Sequence, residues 1–403
     1  MLYNIQAMNL KASNKYIVTL KSGQDAVIRA GYPWVFRRHI ASTGISGTGD
    51  IVDLVDENKA FLGRGYYNPI SGITVRLLTF KDEAIDRDFF RGRIAAAFAK
   101  RKEILKTTNA CRVVFSEADG LAGLIIDLYA DTAVFQIGTL GIERFKEDIV
   151  EVIKDTIRPK YIYERSDSLS RHDEGLALIK KWWSEPREGL VEIIEGKAKF
   201  LVDIVNGHKT GFYLDQRKAR RTLHGMCKGK RVLDLFSYCG GFAINAALAG
   251  ADSVMAVDIK EDWIDLGKKN AELNGVAEKI MFVKSDVFGF LRNMRAIHES
   301  FDIVILDPPS FLKSRHKLAD AIKGYLDINL NSMKILNPGG VLATFSCSHN
   351  MPFETFAETI KKAAEQANRT YTVLSRCHQD KDHPFVKNIP ETNYLKGYFL
   401  KVS

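Results

Sequence analysis

The chain has 403 residues, of which 46% are hydrophobic and 27% are charged. These proportions are ordinary for globular proteins, so they exclude a chain too polar to bury a core, and the length suggests two or three domains. The net charge of +9 favours a polyanionic partner, because lysine and arginine neutralise phosphates, although a solvated basic surface would give the same total.

Five cysteines occur, and no two of them form a C-x-x-C pair. This pattern argues against a disulfide framework or a zinc site, so we predict no metal and a reducing compartment. The amino-terminal segment lacks the apolar core of a signal peptide, and no run approaches the roughly 18–20 apolar residues that span a bilayer. The sequence therefore predicts a cytoplasmic protein without a membrane partner.

The amino-terminal region predicts a small all-β domain over residues 1–82. Residues 16–20, 51–55 and 73–78 are rich in β-forming side chains, and turn signals lie between them at 22–23, 31–33 and 44–49. Short strands at close spacing favour a small barrel or a curled sheet.

The second region, residues 88–190, mixes both kinds of element. Apolar periodicity predicts helices at 95–105 and 142–157, and β-rich runs predict strands at 113–115, 123–129 and 132–137. The pattern therefore indicates a central α+β domain, which ends near a proline and a glycine within 182–189.

From residue 191 to residue 403, strands and helices alternate. Strands are predicted at 231–235, 253–258, 280–284, 301–306 and 340–346, and helices at 242–249, 263–274, 287–296, 319–336 and 353–366. These strands are nearly continuous in Val, Ile and Leu, as is typical of strands buried on both faces. The fold class is therefore α/β, with a doubly wound, mostly parallel, Rossmann-like sheet that binds ligands at the carboxyl ends of its strands.

Acidic residues follow the first three strands of this domain. Asp234 precedes a loop that ends in Gly240-Gly241 and lacks the G-x-G-x-x-G pattern of dinucleotide sites. A carboxylate in this position suits an amino-bearing ligand, and the alternative is that the loop is an ordinary tight turn. Asp258 suits a ribose diol, and Asp286 is placed to meet an adenine amino group. Each aspartate alone could be a helix cap, but three in step with three strands favour a cofactor site.

The next two strand ends carry candidate catalytic residues. Asp307 precedes Pro308-Pro309, which stiffen the backbone and present the carboxyl group at the strand end. Cys347 follows the fifth strand and is expected to lie next to Asp307 in the sheet. A lone cysteine is more often a small buried hydrophobe, but this setting favours a nucleophile. Cys239 is the rival nucleophile, and we expect it to pack beside the cofactor loop instead.

Together these motifs resemble those of class I S-adenosylmethionine-dependent methyltransferases. The match is closer still to the bacterial and archaeal ribosomal RNA large-subunit cytosine-5 methyltransferases that carry an amino-terminal PUA domain. Further segments similar to that family lie at 31–36, 115–127, 165–167, 174–176 and 210–217. The resemblance therefore covers nearly the whole chain.

The resemblance implies a PUA-like domain, a central α+β domain and a methyltransferase domain, with S-adenosylmethionine as methyl donor and ribosomal RNA as acceptor. A homodimer is a further expectation. The cofactor-binding residues implied are Tyr213, Asp215, Asp234, Phe236, Gly240, Asp258, Ile259, Asp286 and Asp307.

Basic and aromatic residues near these motifs are candidate RNA contacts. Lysine and arginine can hold phosphates, and an aromatic ring can stack on a base, although a solvated charged face is the alternative for any single basic residue. The expected contacts are Arg217, Lys218, Arg220, Phe311, Lys313 and Arg315.

The expected reaction is methylation of cytosine carbon 5, with Cys347 attacking carbon 6 and Asp307 at the N3/N4 edge of the base. One departure bears on this: Pro309 stands where better-known RNA cytosine-5 methyltransferases have a first cysteine. An RNA methyltransferase of the same fold acting on a purine nitrogen is the nearest alternative. Others are a small-molecule or protein methyltransferase, a non-catalytic RNA-binding ribosome-assembly factor, and a nicotinamide-dependent oxidoreductase, which would need the missing glycine motif.

Overall fold

The computed structural model describes residues 16–44, 47–311 and 318–403. The chain divides into two compact units. The first comprises Met1–Lys102, Arg112–Arg187 and Phe385–Pro390, and the second comprises Glu103–Cys111, Glu188–Pro384 and Glu391–Ser403. The three-domain division with boundaries near 82 and 190 stays a prediction. Among the described residues, no helix has both the length and the apolar character needed to cross a membrane.

The first unit begins with the elements β1 (Ile17–Leu20), α1 (Ala26–Arg29), β2 (Trp34–Phe36), β3 (Ile40–Thr43), β4 (Ile51–Val55), β5 (Phe61–Tyr67) and β6 (Ile73–Thr79). The six strands form one sheet in the order β2-β6-β5-β4-β1-β3. Apolar side chains of the strands share one core, in which Val18, Val52 and Val75 are fully buried. The predicted β-rich region is therefore confirmed, and the short helix α1 within it was not predicted.

The sequence does not predict β5, because glycines weaken strand propensity. Here the glycines are needed, since a Cβ atom on Gly65 would lie only 2.0 Å from the carbonyl oxygen of Arg76 on β6. Close backbone approach therefore outweighs local propensity at this position.

A five-stranded sheet follows in the order β11-β10-β9-β8-β7. The elements of this part are α2 (Arg87–Arg101), β7 (Ala110–Phe115), β8 (Leu124–Tyr129), β9 (Thr132–Ile137), α3 (Leu140–Glu143), α4 (Lys146–Thr156), β10 (Tyr161–Ser166) and β11 (Ile179–Trp182). Helix α2 begins earlier than predicted because the Asp86 side chain caps it, accepting a 3.0 Å hydrogen bond from the Phe89 amide. The helix predicted at 142–157 is split near Phe145, which leaves helical geometry and packs against Phe90 at 5.0 Å between ring centroids.

The second unit starts with an antiparallel hairpin and then alternates strands and helices. Its elements are β12 (Leu190–Glu195), β13 (Ala198–Asp203), α5 (Arg217–Leu223), β14 (Arg231–Leu235), α6 (Gly241–Leu248), β15 (Ser253–Asp258), α7 (Glu261–Leu273), β16 (Ile280–Lys284), α8 (Val287–Ala296), β17 (Phe301–Leu306), α9 (Leu318–Lys334), β18 (Leu336–Ser346), α10 (Phe353–Ala367), β19 (Tyr371–Cys377) and β20 (Lys396–Val402). The alternation confirms the predicted α/β fold class.

These strands form a seven-stranded sheet in the order β16-β15-β14-β17-β18-β20-β19. The first five strands are parallel, and β20 is antiparallel to both of its neighbours. The chain builds outward from β14 to one side and then returns to build from β17 on the other. This reversal is the point at which doubly wound sheets bind ligands. The sequence analysis did not predict the antiparallel pair β19 and β20.

Candidate active site

A cavity of about 590 Å³ opens at the carboxyl ends of β14, β15, β17 and β18, beside the reversal of strand order. The predicted residues that line it are Tyr213, Asp215, Arg220, Phe236, Asp258, Ile259, Asp307 and Cys347. Six other predicted residues do not line it: Arg217, Lys218, Asp234, Gly240, Asp286 and Phe311. Lys313 and Arg315 fall outside the described residues.

The loop after β14 has an unusual backbone. Phe236, Tyr238 and Gly240 all adopt left-handed conformations, with φ values of 64°, 51° and 81°. Non-glycine residues rarely occupy this region, and such strain concentrates at functional sites. The loop thereby turns the Phe236 and Tyr238 side chains to the cavity wall, while Gly240 ends the loop immediately before α6.

Asp234 lies beneath this loop and is fully buried. One carboxyl oxygen accepts a 2.9 Å hydrogen bond from the Ala243 amide in the first turn of α6, and the other has no hydrogen-bond partner among the described residues. Burial raises the pKa of Asp234 well above its ordinary value. Asp234 therefore ties β14 to α6, and its contact with a cofactor stays a prediction.

Asp258 at the end of β15 faces the cavity. Its carboxylate accepts hydrogen bonds from the backbone amides of Tyr238, at 2.9 Å, and Lys260, at 3.2 Å. These bonds hold the carboxylate on the wall while leaving it lone pairs for ligand hydroxyls. Ile259 beside it is 63% exposed and also lines the cavity. Asp286, by contrast, caps α8 by accepting from the Gly289 amide at 2.8 Å.

The segment before α5 contributes a second wall. Its Gln216 donates a 2.8 Å hydrogen bond to Asp307, and the Tyr394 hydroxyl donates to Asp215 at 2.5 Å. The resemblance implied Tyr213 and Asp215, but Gln216 and Tyr394 were missed. Their partners lie 91 and 179 residues away along the chain, so no local pattern could have identified them.

An aromatic group missed by the sequence analysis stands beside Asp258. The rings of His208 and Tyr238 are stacked at 4.8 Å between centroids, and Trp263 meets both rings edge-on. The Trp263 indole N–H and the Ser237 hydroxyl are buried without a hydrogen-bond partner among the described residues. Unpaired buried polar groups that border a cavity are ready to bond a polar ligand, so this wall fits a nucleoside-containing cofactor.

Asp307 and Cys347 meet at the opposite wall. They follow β17 and β18, which are neighbouring parallel strands, and the Cys347 sulfur lies 3.9 Å from the carbonyl oxygen of Pro308. Burial and the nearby Asp215 carboxylate raise the pKa of Asp307 to about 7, against the opposing hydrogen bond from Gln216. Burial likewise raises the pKa of the Cys347 thiol. The predicted adjacency of the two catalytic candidates is confirmed.

A chain of hydroxyl groups joins the loop that follows β17 to the loop that follows β18. Tyr325 on α9 accepts a 2.9 Å hydrogen bond from Ser346 and lies 3.2 Å from the Ser348 hydroxyl. Ser348 is in turn 2.9 Å from Ser310, which follows Asp307 and the two prolines. Cys347 is thus held between two serines that share one tyrosine.

Arg217 and Arg220 differ from their predicted role as RNA contacts. Both are buried, with 2% of their surface exposed. Arg220 forms two 2.6 Å hydrogen bonds to Glu195, and Arg217 forms ion pairs at 3.1 Å with both Asp380 and Asp382. A buried guanidinium held by carboxylates cannot reach an RNA phosphate in this conformation, so we correct that assignment for both residues.

The remaining RNA candidates have different surroundings. Lys218 is exposed on α5. Phe311 is partly buried, packing against Tyr325 at 4.9 Å and Phe288 at 5.9 Å between ring centroids. Contact of either residue with RNA stays a prediction. Cys239, the rival nucleophile, is fully buried, and burial raises the pKa of its thiol.

Two family models match the chain, one near its amino terminus and one toward its carboxyl terminus. A model described as S-adenosylmethionine-dependent methyltransferase matches residues 170–387, which is more than half of the chain, and a PUA-like domain model matches residues 18–80.

Full-length relatives carry one name. Ribosomal RNA large subunit methyltransferase I of Shewanella denitrificans is 40% identical over 96% of this chain and 99% of the relative. Proteins of the same name from Aliivibrio fischeri and Vibrio cholerae are each 41% identical, again over 96% of this chain and 99% of the relative.

Solved structures share the fold. A SAM-dependent methyltransferase from Streptococcus mutans superposes with a TM-score of 0.84 at 24% identity, over 96% of this chain and 99% of that chain. A methyltransferase complexed with SAH has a TM-score of 0.83 with the same identity and coverage.

Proposed function

Because the chain belongs to the S-adenosylmethionine-dependent methyltransferase family that includes the ribosomal RNA large subunit methyltransferases I, we propose that it methylates carbon 5 of a cytosine in large-subunit ribosomal RNA. The family match confirms the predicted cofactor and the PUA-like domain. The observation that carries the proposal is the placement of Cys347 beside Asp307 in one cavity. A nucleophile and an acid at neighbouring strand ends are what cytosine-5 chemistry requires.

The chemistry begins with a weak nucleophile, since carbon 5 of cytosine attacks poorly by itself. Addition of the Cys347 thiolate to carbon 6 forms an S–C bond and moves the ring electrons toward N3, which accepts the proton of Asp307. Carbon 5 is then electron-rich. When bound, S-adenosylmethionine supplies an electrophilic methyl group. Loss of the carbon 5 proton to water, return of the N3 proton to Asp307 and departure of Cys347 restore the aromatic ring.

The protonation state of Asp307 supports this role. A carboxyl group whose pKa is about 7 is protonated in about half of the molecules at neutral pH, and that proton can be donated to N3. Gln216 fixes its other oxygen, so the orientation of the carboxyl group does not depend on the bound base. A base within duplex RNA would first have to be flipped into the cavity.

A same-fold methyltransferase acting on a purine nitrogen is the second candidate. The Asp307-Pro308-Pro309 motif favours it, because Pro309 replaces the additional cysteine of better-known RNA cytosine-5 enzymes. In that case Asp307 would bind an amino group and Cys347 would serve only in packing.

RNA contacts, location and assembly complete the proposal. Lys218, Phe311, Lys313 and Arg315 are proposed to contact the RNA, aided by the net charge of +9. We also propose a cytoplasmic location, because bacteria make their ribosomal RNA in the cytoplasm. A homodimer is a further proposal.

The test is product analysis. The protein is incubated with radiolabelled S-adenosylmethionine and undermodified large-subunit ribosomal RNA, and the RNA is then digested to nucleosides. We expect label in 5-methylcytosine, and its loss with Cys347→Ala while calorimetry shows unchanged cofactor affinity. Label in a methylated purine, kept by the variant, would replace the first candidate with the second.

A further inference from the structure

Lys396 is a buried amine beneath the Cys347 turn. It opens β20, where its Cα is paired with that of Ser346 on β18, and only 2% of its surface is exposed. Its Nζ donates hydrogen bonds to the carbonyl oxygens of Ser348, at 2.9 Å, and Tyr394, at 2.7 Å. Ser346, which precedes Cys347, is therefore paired with Lys396 across the sheet, and Ser348, which follows Cys347, accepts a hydrogen bond from the Lys396 side chain.

No carboxylate forms an ion pair with Lys396 within the described ranges, although most buried cations of this chain have one. Arg101, Arg217 and Arg220, for example, each pair with a buried carboxylate. A buried ammonium without a counter-ion is costly, because neither water nor an opposite charge offsets its desolvation. Two neutral carbonyl oxygens and the ring of Phe353 at 5.3 Å offset this cost only in part.

The anion that can complete this arrangement is the Cys347 thiolate. Burial lowers the pKa of Lys396 to about 8, and the charge on Cys347 acts in the opposite direction. Electrostatic coupling is reciprocal. If the thiolate raises the pKa of Lys396, the ammonium lowers the pKa of Cys347 by the same amount. In a poorly solvated site this coupling is larger than at the surface.

A second cation, Lys209, also acts on Cys347 and has the largest charge effect on the pKa of its thiol. The charged or titratable groups acting on it are Lys209, Tyr213, Asp215, Asp307, Tyr325 and Lys396. The two aspartates oppose formation of a thiolate, and burial keeps both tyrosines neutral by raising their pKa values. Lys209 favours the thiolate, but it is exposed and solvent screens its charge.

We propose that Lys396 supplies the positive charge that stabilises the Cys347 thiolate. While Lys396 is protonated, ionisation of the thiol releases its proton to water and leaves the thiolate beside the ammonium. The sulfur then forms its bond to the base, and when that bond breaks the electron pair returns to the sulfur beside the same ammonium. Lys396 is thus a positioning residue that acts through Cys347. The inference rests on the proposed use of Cys347 as nucleophile.

The test is the pH dependence of Cys347 alkylation in the full chain without RNA. Iodoacetamide modification of the Cys347 peptide is followed by mass spectrometry for the wild type and for Lys396→Met, which keeps the side chain's length and removes its charge. We expect the midpoint to rise by about one to two pH units, and alkylation near neutral pH to slow roughly tenfold or more. Lys396→Arg should restore most of the shift. Lys401→Met, an exposed change on the same strand, is the matched control and should match the wild type.

An unchanged midpoint in a folded Lys396→Met variant, with folding shown by retained affinity for S-adenosylmethionine, would overturn the proposal. If that variant does not fold, the reciprocal measurement decides. In Cys347→Ala the ¹³C NMR titration of the Lys396 Cε should move to lower pH, again by about one to two units, and no movement would contradict the pairing. These titrations need no RNA product. A methylated purine in the nucleoside digest would therefore contradict the cytosine chemistry without changing the alkylation midpoint of Cys347. An unchanged alkylation midpoint would contradict the role of Lys396 without changing the identity of the methylated nucleoside.

Discussion

Two parts of the cavity wall, the proposed cofactor wall and the proposed catalytic wall, are held in different ways. On the proposed cofactor wall, Asp258, and Asp234 beneath the loop after β14, accept hydrogen bonds from backbone amides within 20 residues along the chain. On the proposed catalytic wall, Asp307 and the Cys347 turn are held by side chains from distant segments, namely Gln216, Tyr325 and Lys396. The hydrogen bonds of the first wall are local in sequence, whereas those of the second form only once distant segments of the second unit have come together.

The largest effect that tests this comparison should come from Arg220, which secures the segment carrying Tyr213 and Gln216. Arg220 donates to the Tyr213 carbonyl and forms two short hydrogen bonds to buried Glu195, so Arg220→Met would leave that carboxylate with only its 3.6 Å ion pair to Arg217. We expect the free energy of unfolding to fall by about 3–5 kcal/mol, measured by urea denaturation.

The double change Arg220→Met with Glu195→Gln should recover part of that loss, because the weakly paired carboxylate is then neutral and Arg217 keeps its ion pairs to Asp380 and Asp382. A stable Arg220→Met protein with weakened RNA binding would instead restore the original RNA assignment of this arginine.

Asp307 is predicted both to act in catalysis and to bind the cofactor, and Asp307→Asn should separate the two roles. The amide keeps the acceptor for Gln216 but cannot donate an acidic proton to the base. We expect kcat to fall about 10²–10³-fold, while calorimetry shows the affinity for S-adenosylmethionine changed by less than about threefold. Equal losses in both quantities would mean that the two walls are not functionally distinct.

The same variant makes a prediction about pH. The pKa of Asp307 is raised from 3.8 to about 7 in the folded protein, so its contribution to stability is fully present below about pH 4 and is lost as the pH rises through 7. Asp307→Asn cannot ionise. It should therefore exceed the wild type in free energy of unfolding by about 2–4 kcal/mol at pH 8, with the difference shrinking toward pH 5.

The exposed change Asp320→Asn on α9 is the control for this titration, and it should leave the stability profile unchanged. A constant offset between Asp307→Asn and the wild type at every pH would show that Asp307 does not titrate in this range.

Asp258→Asn tests the locally encoded wall. Loss of one charged hydrogen-bond acceptor should weaken S-adenosylmethionine binding by about 10- to 100-fold, seen by calorimetry, and leave kcat at saturating cofactor nearly unchanged. A matching fall in kcat would show that the cofactor wall also shapes the catalytic step.

The smallest effect is expected for Tyr325→Phe, which removes the hydroxyl shared by Ser346 and Ser348. The two serines can still bond other groups, so we expect about 1 kcal/mol of lost stability and a fall in kcat of about threefold to tenfold. Tyr371→Phe on β19 is the matched control. A fall in kcat as large as that of Asp307→Asn would place the hydroxyl directly in the reaction.

These differences also explain what the sequence could predict. The parallel strands and the residues at their carboxyl ends follow from local periodicity, and the adjacency of Asp307 and Cys347 follows from strand order. Local periodicity in the sequence does not show which charged side chains are buried. Arg217 and Arg220 look like a basic surface in sequence, because their carboxylate partners arrive from β12 and from residues 380–382. The roles of Gln216, Trp263 and Lys396 likewise depend on long-range pairing.

The position of β20 has a consequence for synthesis on the ribosome. This strand follows β19 in sequence but lies between β18 and β19 in the sheet. The β19 segment therefore has no partner until β20 has emerged, and the lysine beneath the cysteine turn arrives with that same strand. A nascent chain can fold the loop after β14 before β20 emerges, but Lys396 joins the Cys347 turn only in a late step of folding.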